Sequence, residues 1–219
     1  MSIIILSYIF RYISSLWIVP FLNSIKKVLD VKLSYVLNTV IPIELNEIDK
    51  KVISSGIVDI VTIARDDVYT QVKDLTEKLG IKVEYELSRF YTKIKENNDL
   101  LKKAANISVY GFEKEIESFS KYDSNFNIKE KSFILNERCY PNCEFKLQHN
   151  TNVILRNLGK TTKKFSCPYK DQRSVFTPDE IKYICAKYDI DILKICDRNM
   201  TDEELLELLK NWLPILNTY

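Results

Sequence analysis

The clearest hydrophobic pattern in the chain runs from residue 57 to residue 87. The β-branched run IVDIVTIA (57–64) is typical of a strand that is buried on both faces. Residues 65–79 place apolar side chains at helical spacing after two acids, and Gly80 is well placed as a left-handed C-cap. IKVEYEL (81–87) then alternates apolar and charged residues, as a strand with one polar face does. The pattern predicts a right-handed β-α-β unit.

Further elements are predicted downstream of this unit. Residues 88–105 have the apolar spacing of a second helix, and 106–111 form a short apolar strand that ends at a glycine. Residues 124–135 alternate well enough to form one or two strands. Helices with capping signals are predicted at 177–188 and 200–216. Strands and helices therefore alternate, which indicates an α/β domain over residues 57–219.

The N-terminal region has a different composition. Residues 2–29 contain no acid and are dominated by large apolar side chains, but Arg11 and Pro20 interrupt the run. A membrane span needs about 20 consecutive apolar residues. The region is therefore predicted to be an apolar helical segment within residues 1–56. It is a buried or interfacial helix, an organellar targeting segment, or a membrane contact through residues 2–25.

Composition argues against most kinds of catalysis. The 219 residues carry a net charge of +2, with 46% hydrophobic and 28% charged side chains, four glycines and one histidine. No Gly-rich phosphate loop is present, and a Ser/His or Cys/His pair would depend on that one histidine. We therefore expect no enzymatic activity and no small-molecule substrate.

One block of the chain is basic and free of acids. It extends from Phe145 to Lys170, and it reads as a β-hairpin inserted at about 136–175. Cations neutralise phosphates and aromatic rings stack on unpaired bases, so this block favours RNA binding. The alternative is a solvated hairpin whose lysines protect a sheet edge. The predicted RNA contacts are Lys146, Arg156, Lys160, Lys163, Lys164, Phe165, Tyr169 and Lys170.

The five cysteines, all after residue 138, do not form a disulfide pattern. Cys139, Cys143, His149 and Cys167 offer the thiolate and imidazole ligands that zinc prefers, although their spacing is irregular. The alternative is a set of isolated, partly buried thiols. Zinc is the one cofactor that the sequence indicates, and the remaining cysteines are expected in the core.

The order of elements resembles the anticodon-binding domain of class II aminoacyl-tRNA synthetases of the threonyl, prolyl and histidyl type. The resemblance rests on Gly80–Val83 at the start of the second strand, on Lys93–Lys95, and on Gly111 followed by a turn with Glu113 and Glu115. It implies a mixed five-stranded sheet with flanking helices. In that fold Lys82, Glu84 and Glu86 would face water or a partner.

The resemblance also implies a function. With only 56 residues before it and no synthetase core, the domain would be a detached module. We expect a non-catalytic RNA-binding or scaffolding subunit of a ribonucleoprotein, such as a mitochondrial ribosome, or of a replication assembly. Its partners would be RNA, protein subunits or both, and its location mitochondrial or otherwise cytoplasmic. The alternatives are a protein–protein module docked through its N-terminal helix and a small thioredoxin-like or flavodoxin-like enzyme.

Overall fold

A computed structural model of the protein describes residues 2–6, 20, 23, 26, 32–120, 127–135, 143–169, 176–196, 207 and 210. The strands in these residues are β1 (Ser2–Leu6), β2 (Lys32–Leu37), β3 (Ile60–Ile63), β4 (Glu84–Leu87), β5 (Ile107–Tyr110), β6 (Glu130–Ile134) and β7 (Ile192–Cys196). The helices are α1 (Glu47–Ser54), α2 (Asp66–Leu79), α3 (Leu100–Ala104), α4 (Glu113–Ser120), α5 (Lys146–Asn157) and α6 (Pro178–Tyr188), with a 3₁₀ turn at Tyr91–Lys93.

The strands form one parallel sheet in chain order. Six of them, β2 to β7, pair consecutively, and β1 pairs with both β2 and β7, which closes the sheet into a barrel. Parallel neighbours need crossover connections, and the helices α1 to α6 lie in those connections along the chain. The prediction of an α/β fold with flanking helices is confirmed. The prediction of a mixed five-stranded sheet is wrong, because the sheet is parallel and has more strands.

Alternate residues of each strand face opposite sides of the sheet. Val61 and Ile63 of β3 pack in the larger core, which also contains apolar side chains of α1 and α2. Ile60, on the other face, packs with Ile107 and Ile192 in a small apolar layer inside the barrel. Successive side chains of a strand alternate between its two faces, so the next inward position lies two residues further along. In β3, β4, β6 and β7 this position carries a polar side chain.

That next layer is polar and fully buried. Glu86 of β4 and Lys194 of β7 form an ion pair at 0% and 1% side-chain exposure. The Lys194 ammonium also donates to Thr62 Oγ1 at 2.8 Å, and Ser132 Oγ donates to Glu86 Oε1 at 2.5 Å. Thr62 donates to Glu86 as well, and Ser34 Oγ lies 3.1 Å from Thr62 Oγ1. The two buried charges are thus paired and hydrogen-bonded, which is the condition for keeping them in a low-dielectric interior.

This layer overturns the expectation for the polar face of residues 81–87. Lys82 is exposed, and Glu84 accepts hydrogen bonds from Lys32 at 2.8 Å and from Asn106 at 3.2 Å. Glu86, however, faces the inside of the barrel rather than water or a partner. The physical reason is that Lys194, 108 residues further along the chain, supplies a countercharge in the interior.

The N-terminal region contributes to the same sheet. Ser2–Leu6 and Lys32–Leu37 are strands, and Glu47–Ser54 is a helix with a capping box on Asn46. The expected helical segment over residues 1–56 is therefore wrong at Ser2–Leu6 and Lys32–Leu37, because their backbone groups pair with β7 and β3. Most of residues 7–31 lie outside the described part. Among the described helices, none combines the length and hydrophobicity needed to cross a membrane.

The second predicted helix, residues 88–105, is mostly a loop. A regular helix occupies only Leu100–Ala104, and the 3₁₀ turn precedes it. The cause is Asp66, whose buried carboxylate accepts hydrogen bonds from the amide of Asn98 at 2.6 Å, the amide of Leu101 at 2.9 Å and the Tyr91 hydroxyl at 2.9 Å. The Asp66 side chain of α2 thus accepts hydrogen bonds from amides that would donate to backbone carbonyls in a continuous helix.

Other local predictions have mixed outcomes. The elements β3, α2, β4, β5 and α6 are confirmed, including the left-handed Gly80 at φ 65° and the Thr177 capping box. Residues 124–135 contain one strand, β6, and the Glu-rich turn after Gly111 is the helix α4. The predicted helix at 200–216 lies almost entirely outside the described residues.

Replacing Lys194 with methionine should destabilise the protein by about 3–5 kcal/mol, because Glu86 would remain buried without its cation. The double variant Glu86→Gln/Lys194→Met should recover most of this loss, since a glutamine is neutral and still accepts the hydroxyl hydrogen bonds. Urea unfolding of the unchanged protein, of the single variants Glu86→Gln and Lys194→Met, and of the double variant measures the coupling. Lys182→Met, on the exposed side of α6, should change stability by less than about 0.5 kcal/mol. A double variant as unstable as Lys194→Met would contradict the interpretation.

Candidate anion site at the rim of the barrel

A cavity of about 670 Å³ lies beside the C-terminal ends of β4 and β5. Its walls are the loop from Ser88 to Asp99, the outward side of β5, the helix α4 and the first residue of α5. In parallel barrels the loops that follow the strands meet at this edge and form the binding sites. The volume is within the usual range for a small-molecule site.

Positive charge dominates the cavity lining. Two of its cations, Lys93 and Lys114, are exposed at the opening, and Lys102 lies 3.6 Å from the Asp99 carboxylate. Because cations outnumber acids, the cavity has a positive potential that favours an anionic ligand. The lining cations are Arg89, Lys93, Lys102, Lys114 and Lys146, and the lining acids are Asp99 and Glu115.

The Glu115 carboxylate lies between two buried cations. Arg89 Nε donates to Glu115 Oε1 at 3.0 Å, and the terminal guanidinium nitrogen of Arg89 donates to the same oxygen. Lys146 Nζ lies 3.6 Å from this oxygen, and the Gly111 amide donates to the other oxygen at 2.9 Å. The Arg89 and Lys146 side chains are only 4% and 6% exposed. Two desolvated positive charges thus lie against the Glu115 carboxylate.

The neighbours of Arg89 fix its position. Phe112 offers its ring to both cations, with the Arg89 guanidinium carbon 5.1 Å and Lys146 Nζ 5.0 Å from the ring centroid. A Cβ atom at Gly111 would collide with the Arg89 guanidinium. The absence of a side chain at Gly111 therefore lets the guanidinium lie against the backbone at the end of β5, and a larger residue there would have to displace it.

The electrostatic surroundings change the pKa of Glu115. Burial alone would raise the pKa of this carboxyl, but the charges of Arg89 and Lys146, with the Arg89 and Gly111 hydrogen bonds, outweigh burial and lower it. Glu115 therefore remains ionised at pH values below the usual range of glutamate pKa values. At neutral pH it acts as a fixed countercharge rather than as a proton donor.

The loop that forms one wall is held in place by hydrogen bonds. Asn97 donates to the carbonyls of Ala64 at 2.9 Å and Tyr91 at 3.0 Å, and its own carbonyl oxygen accepts from the Asp66 amide at 3.1 Å. Burial and the hydrogen bond to Asp66 raise the pKa of Tyr91, so its hydroxyl stays protonated as a donor. The wall is therefore ordered without a ligand.

The helix α5 lies over the same end of the barrel. Leu147 and Ile154, two turns apart, pack with Val40, Phe90 and Ile94 in an apolar cluster. This packing places Lys146, the first residue of the helix, in the cavity wall. One turn further along the helix, Asn150 Oδ1 is buried and no described residue donates to it, but Asn150 is not among the residues that line the cavity.

The predicted RNA-contact residues do not form a hairpin. Residues 146–157 are helical, because Leu147 and Ile154 recur at a spacing that buries one helix face. Lys146 is buried in the cavity, which contradicts its prediction as an RNA contact. Lys170 lies outside the described residues. The structure leaves Arg156, Lys160, Lys163 and Lys164 exposed and Phe165 and Tyr169 half-buried.

The zinc prediction is only partly covered. In the described ranges, no group of three or more His, Cys, Asp or Glu side chains is arranged to hold a metal ion, and Cys139 lies outside them. His149 stacks on Phe165 with ring centroids 5.1 Å apart, and Cys143 lines the cavity. Zinc binding therefore stays a prediction. Cys185 is in the core as expected, and burial raises the pKa of its thiol to about 11.

Sequence reasoning missed most of the cavity residues. Arg89 lies two residues after the strand β4, and Gly111 directly follows β5. In a parallel sheet these two positions come to the same edge, so their placement is the usable signal. The expectation of a mixed sheet does not bring them together, and it leaves Glu115 in a turn.

Replacing Glu115 with glutamine should destabilise the protein by about 2 kcal/mol at pH 7, because Arg89 and Lys146 would remain buried without their carboxylate. Since the folded-state pKa of Glu115 is lowered, this difference should be constant above the unfolded-state pKa of about 4.3 and shrink as pH falls through the folded-state pKa. Urea unfolding of both proteins from pH 7 to pH 3 tests this. The exposed variant Glu117→Gln should show little difference at any pH.

Comparisons with protein-family models, with curated proteins and with solved structures give no match for this chain.

Proposed function

We propose that the protein binds a small anionic molecule, bearing a phosphate or a carboxylate, in the cavity beside β4 and β5. The observation that supports this most directly is the excess of cations in the lining, where the lining cations outnumber the acids Asp99 and Glu115. This excess of positive charge favours a ligand anion in the cavity. The planar guanidinium of Arg89 suits the geometry of both candidate groups.

The start of α5 adds to the positive potential. Lys146 is the first residue of this twelve-residue helix, and Phe145 before it provides no side-chain cap. The positive end of the helix dipole therefore coincides with the Lys146 ammonium beside the cavity. An anion bound there would interact with both, whereas a cation would be repelled by both.

The cations at the opening define a path to this centre. Lys93 and Lys114 are exposed and Lys102 is partly buried, so a ligand would meet exposed charges first and the buried Arg89 and Lys146 afterwards. This arrangement favours fast association of small anions. The sequence-based expectation of no small-molecule substrate stays a prediction. The expected role as an RNA-binding or scaffolding subunit stays a prediction, which the cavity neither requires nor uses.

Inorganic phosphate and pyrophosphate are suitable probes. Each should raise the thermal unfolding temperature in a concentration-dependent manner when ionic strength is kept constant with sodium chloride. The double variant Lys93→Gln/Lys102→Gln should bind pyrophosphate about tenfold more weakly, because two partly screened ion contacts of about 0.7 kcal/mol each are lost. Isothermal titration calorimetry measures the two dissociation constants.

The control is Lys95→Gln/Lys103→Gln. Lys95 and Lys103 are exposed and lie close in sequence to Lys93 and Lys102, but they do not line the cavity. The control variant therefore removes the same net charge from the same region. This variant should bind as the unchanged protein does. Equal weakening by the two double variants would show that only the general charge matters, and failure of both probes to bind or stabilise would reject the proposed site.

A further inference from the structure

We propose that the surface formed by the end of α5 and the segment after it binds single-stranded nucleic acid. This surface consists of Arg156, Lys160, Lys163 and Lys164 together with an aromatic cluster, and it does not depend on the proposed cavity ligand. The inference rests on how the structure displays these residues rather than on their number.

The segment after α5 has a defined position. Gly159, at φ 68°, turns the chain back, and the Lys160 amide donates to the Leu155 carbonyl at 2.8 Å. Asn152 on α5 then holds the returning chain, because its amide donates to the Lys163 carbonyl at 3.0 Å and its oxygen accepts from the Phe165 amide at 3.0 Å. The lysines are therefore presented along the helix on a fixed backbone.

The four cations of this surface are available for phosphates. All four side chains are in exposed residues, and none forms an ion pair with a described carboxylate. The sequence from 145 to 170 contains no acid that could compete locally. This separates the surface from the cavity, where Arg89 and Lys146 are buried against Glu115.

Two aromatic rings, Phe165 and Tyr169, lie on the same returning segment as the three lysines, and they contact Phe145 and His149 at the start of α5. Phe165 follows Lys164 directly and stacks on His149 at an interplanar angle of 19°. Phe145 lies 6.4 Å from Phe165 and 6.3 Å from Tyr169 between ring centroids, and all of these rings are half-buried. Rings that are anchored on one side and partly exposed can stack on bases, and stacking contributes about 1–3 kcal/mol per base.

The combination favours nucleic acid over other anionic partners. An acidic peptide would use the cations but has no planar bases to stack on the rings. A membrane surface would need more exposed apolar side chains than Leu158 and these half-buried rings provide. RNA and DNA share the phosphates and base faces that the surface would recognise. The experiment must therefore compare both.

Fluorescence anisotropy with labelled twelve-nucleotide RNA and DNA of mixed sequence tests the proposal over a range of salt concentrations. Binding of at least one of them should weaken as salt rises, with a log–log slope of about −0.7 per contacted phosphate. In Lys160→Gln/Lys163→Gln/Lys164→Gln the slope should become shallower by about 2, and affinity at low salt should fall about tenfold or more. Phe165→Leu should weaken binding severalfold without changing the slope.

Two controls make the result specific to this surface. Lys78→Gln/Lys82→Gln/Lys129→Gln removes three exposed lysines elsewhere, and Lys93→Gln/Lys102→Gln removes two cavity lysines; both should bind the oligonucleotides as the unchanged protein does. Circular dichroism checks that each variant is folded. The proposal would be overturned if the 160/163/164 variant or Phe165→Leu bound with unchanged affinity. It would also be overturned if polyglutamate competed equally strongly, or if neither oligonucleotide bound.

Discussion

The buried ion pair between Glu86 and Lys194 constrains the whole barrel. A charge inside a parallel barrel is tolerated only with a partner, and the partners here lie on β4 and β7, which are not neighbours in the sheet. Because strand side chains alternate, a slip of one residue in either strand would turn one charge toward the helices and leave the other alone. The pair, supported by Thr62 and Ser132, therefore favours the observed register of β4 and β7.

The same register positions the candidate site. With Glu86 inward, Leu87 faces the helices, and Ser88 and Arg89 come to the rim where the strand ends. The pairing of Leu87 with Ser108 brings Gly111, three residues later, to the neighbouring position on that rim. Arg89 can therefore reach Glu115 past a residue without a side chain. The polar interior and the cationic cavity are thus consequences of one alignment of β4 with its neighbours.

Local patterns were sufficient for the β3–α2–β4 unit, because its strands, caps and helix spacing all involve residues near in sequence. They failed where a distant residue decides the outcome. The charged face of β4 predicts a solvent-facing surface, because the sequence pattern does not show that Lys194 lies inside the barrel. The loop after β4 has the apolar spacing of a helix, but its amides donate to the Asp66 carboxylate instead. The helix α5 reads as a hairpin because its basic flank obscures the buried face of Leu147 and Ile154.

The helix α5 contributes cations to both proposed anion sites. The cation at its start is buried and the one at its end is exposed. At its start, Lys146 is desolvated and adds to the positive end of the helix dipole, so its energy depends on an anion being close by. At its end, Arg156 faces water beside the negative end of the dipole, which stabilises a cation without any ligand. Buried charges are weakly screened and exposed ones strongly. Salt should therefore weaken contacts at the end of α5 much more than contacts at its start, even though both involve the same kinds of side chain.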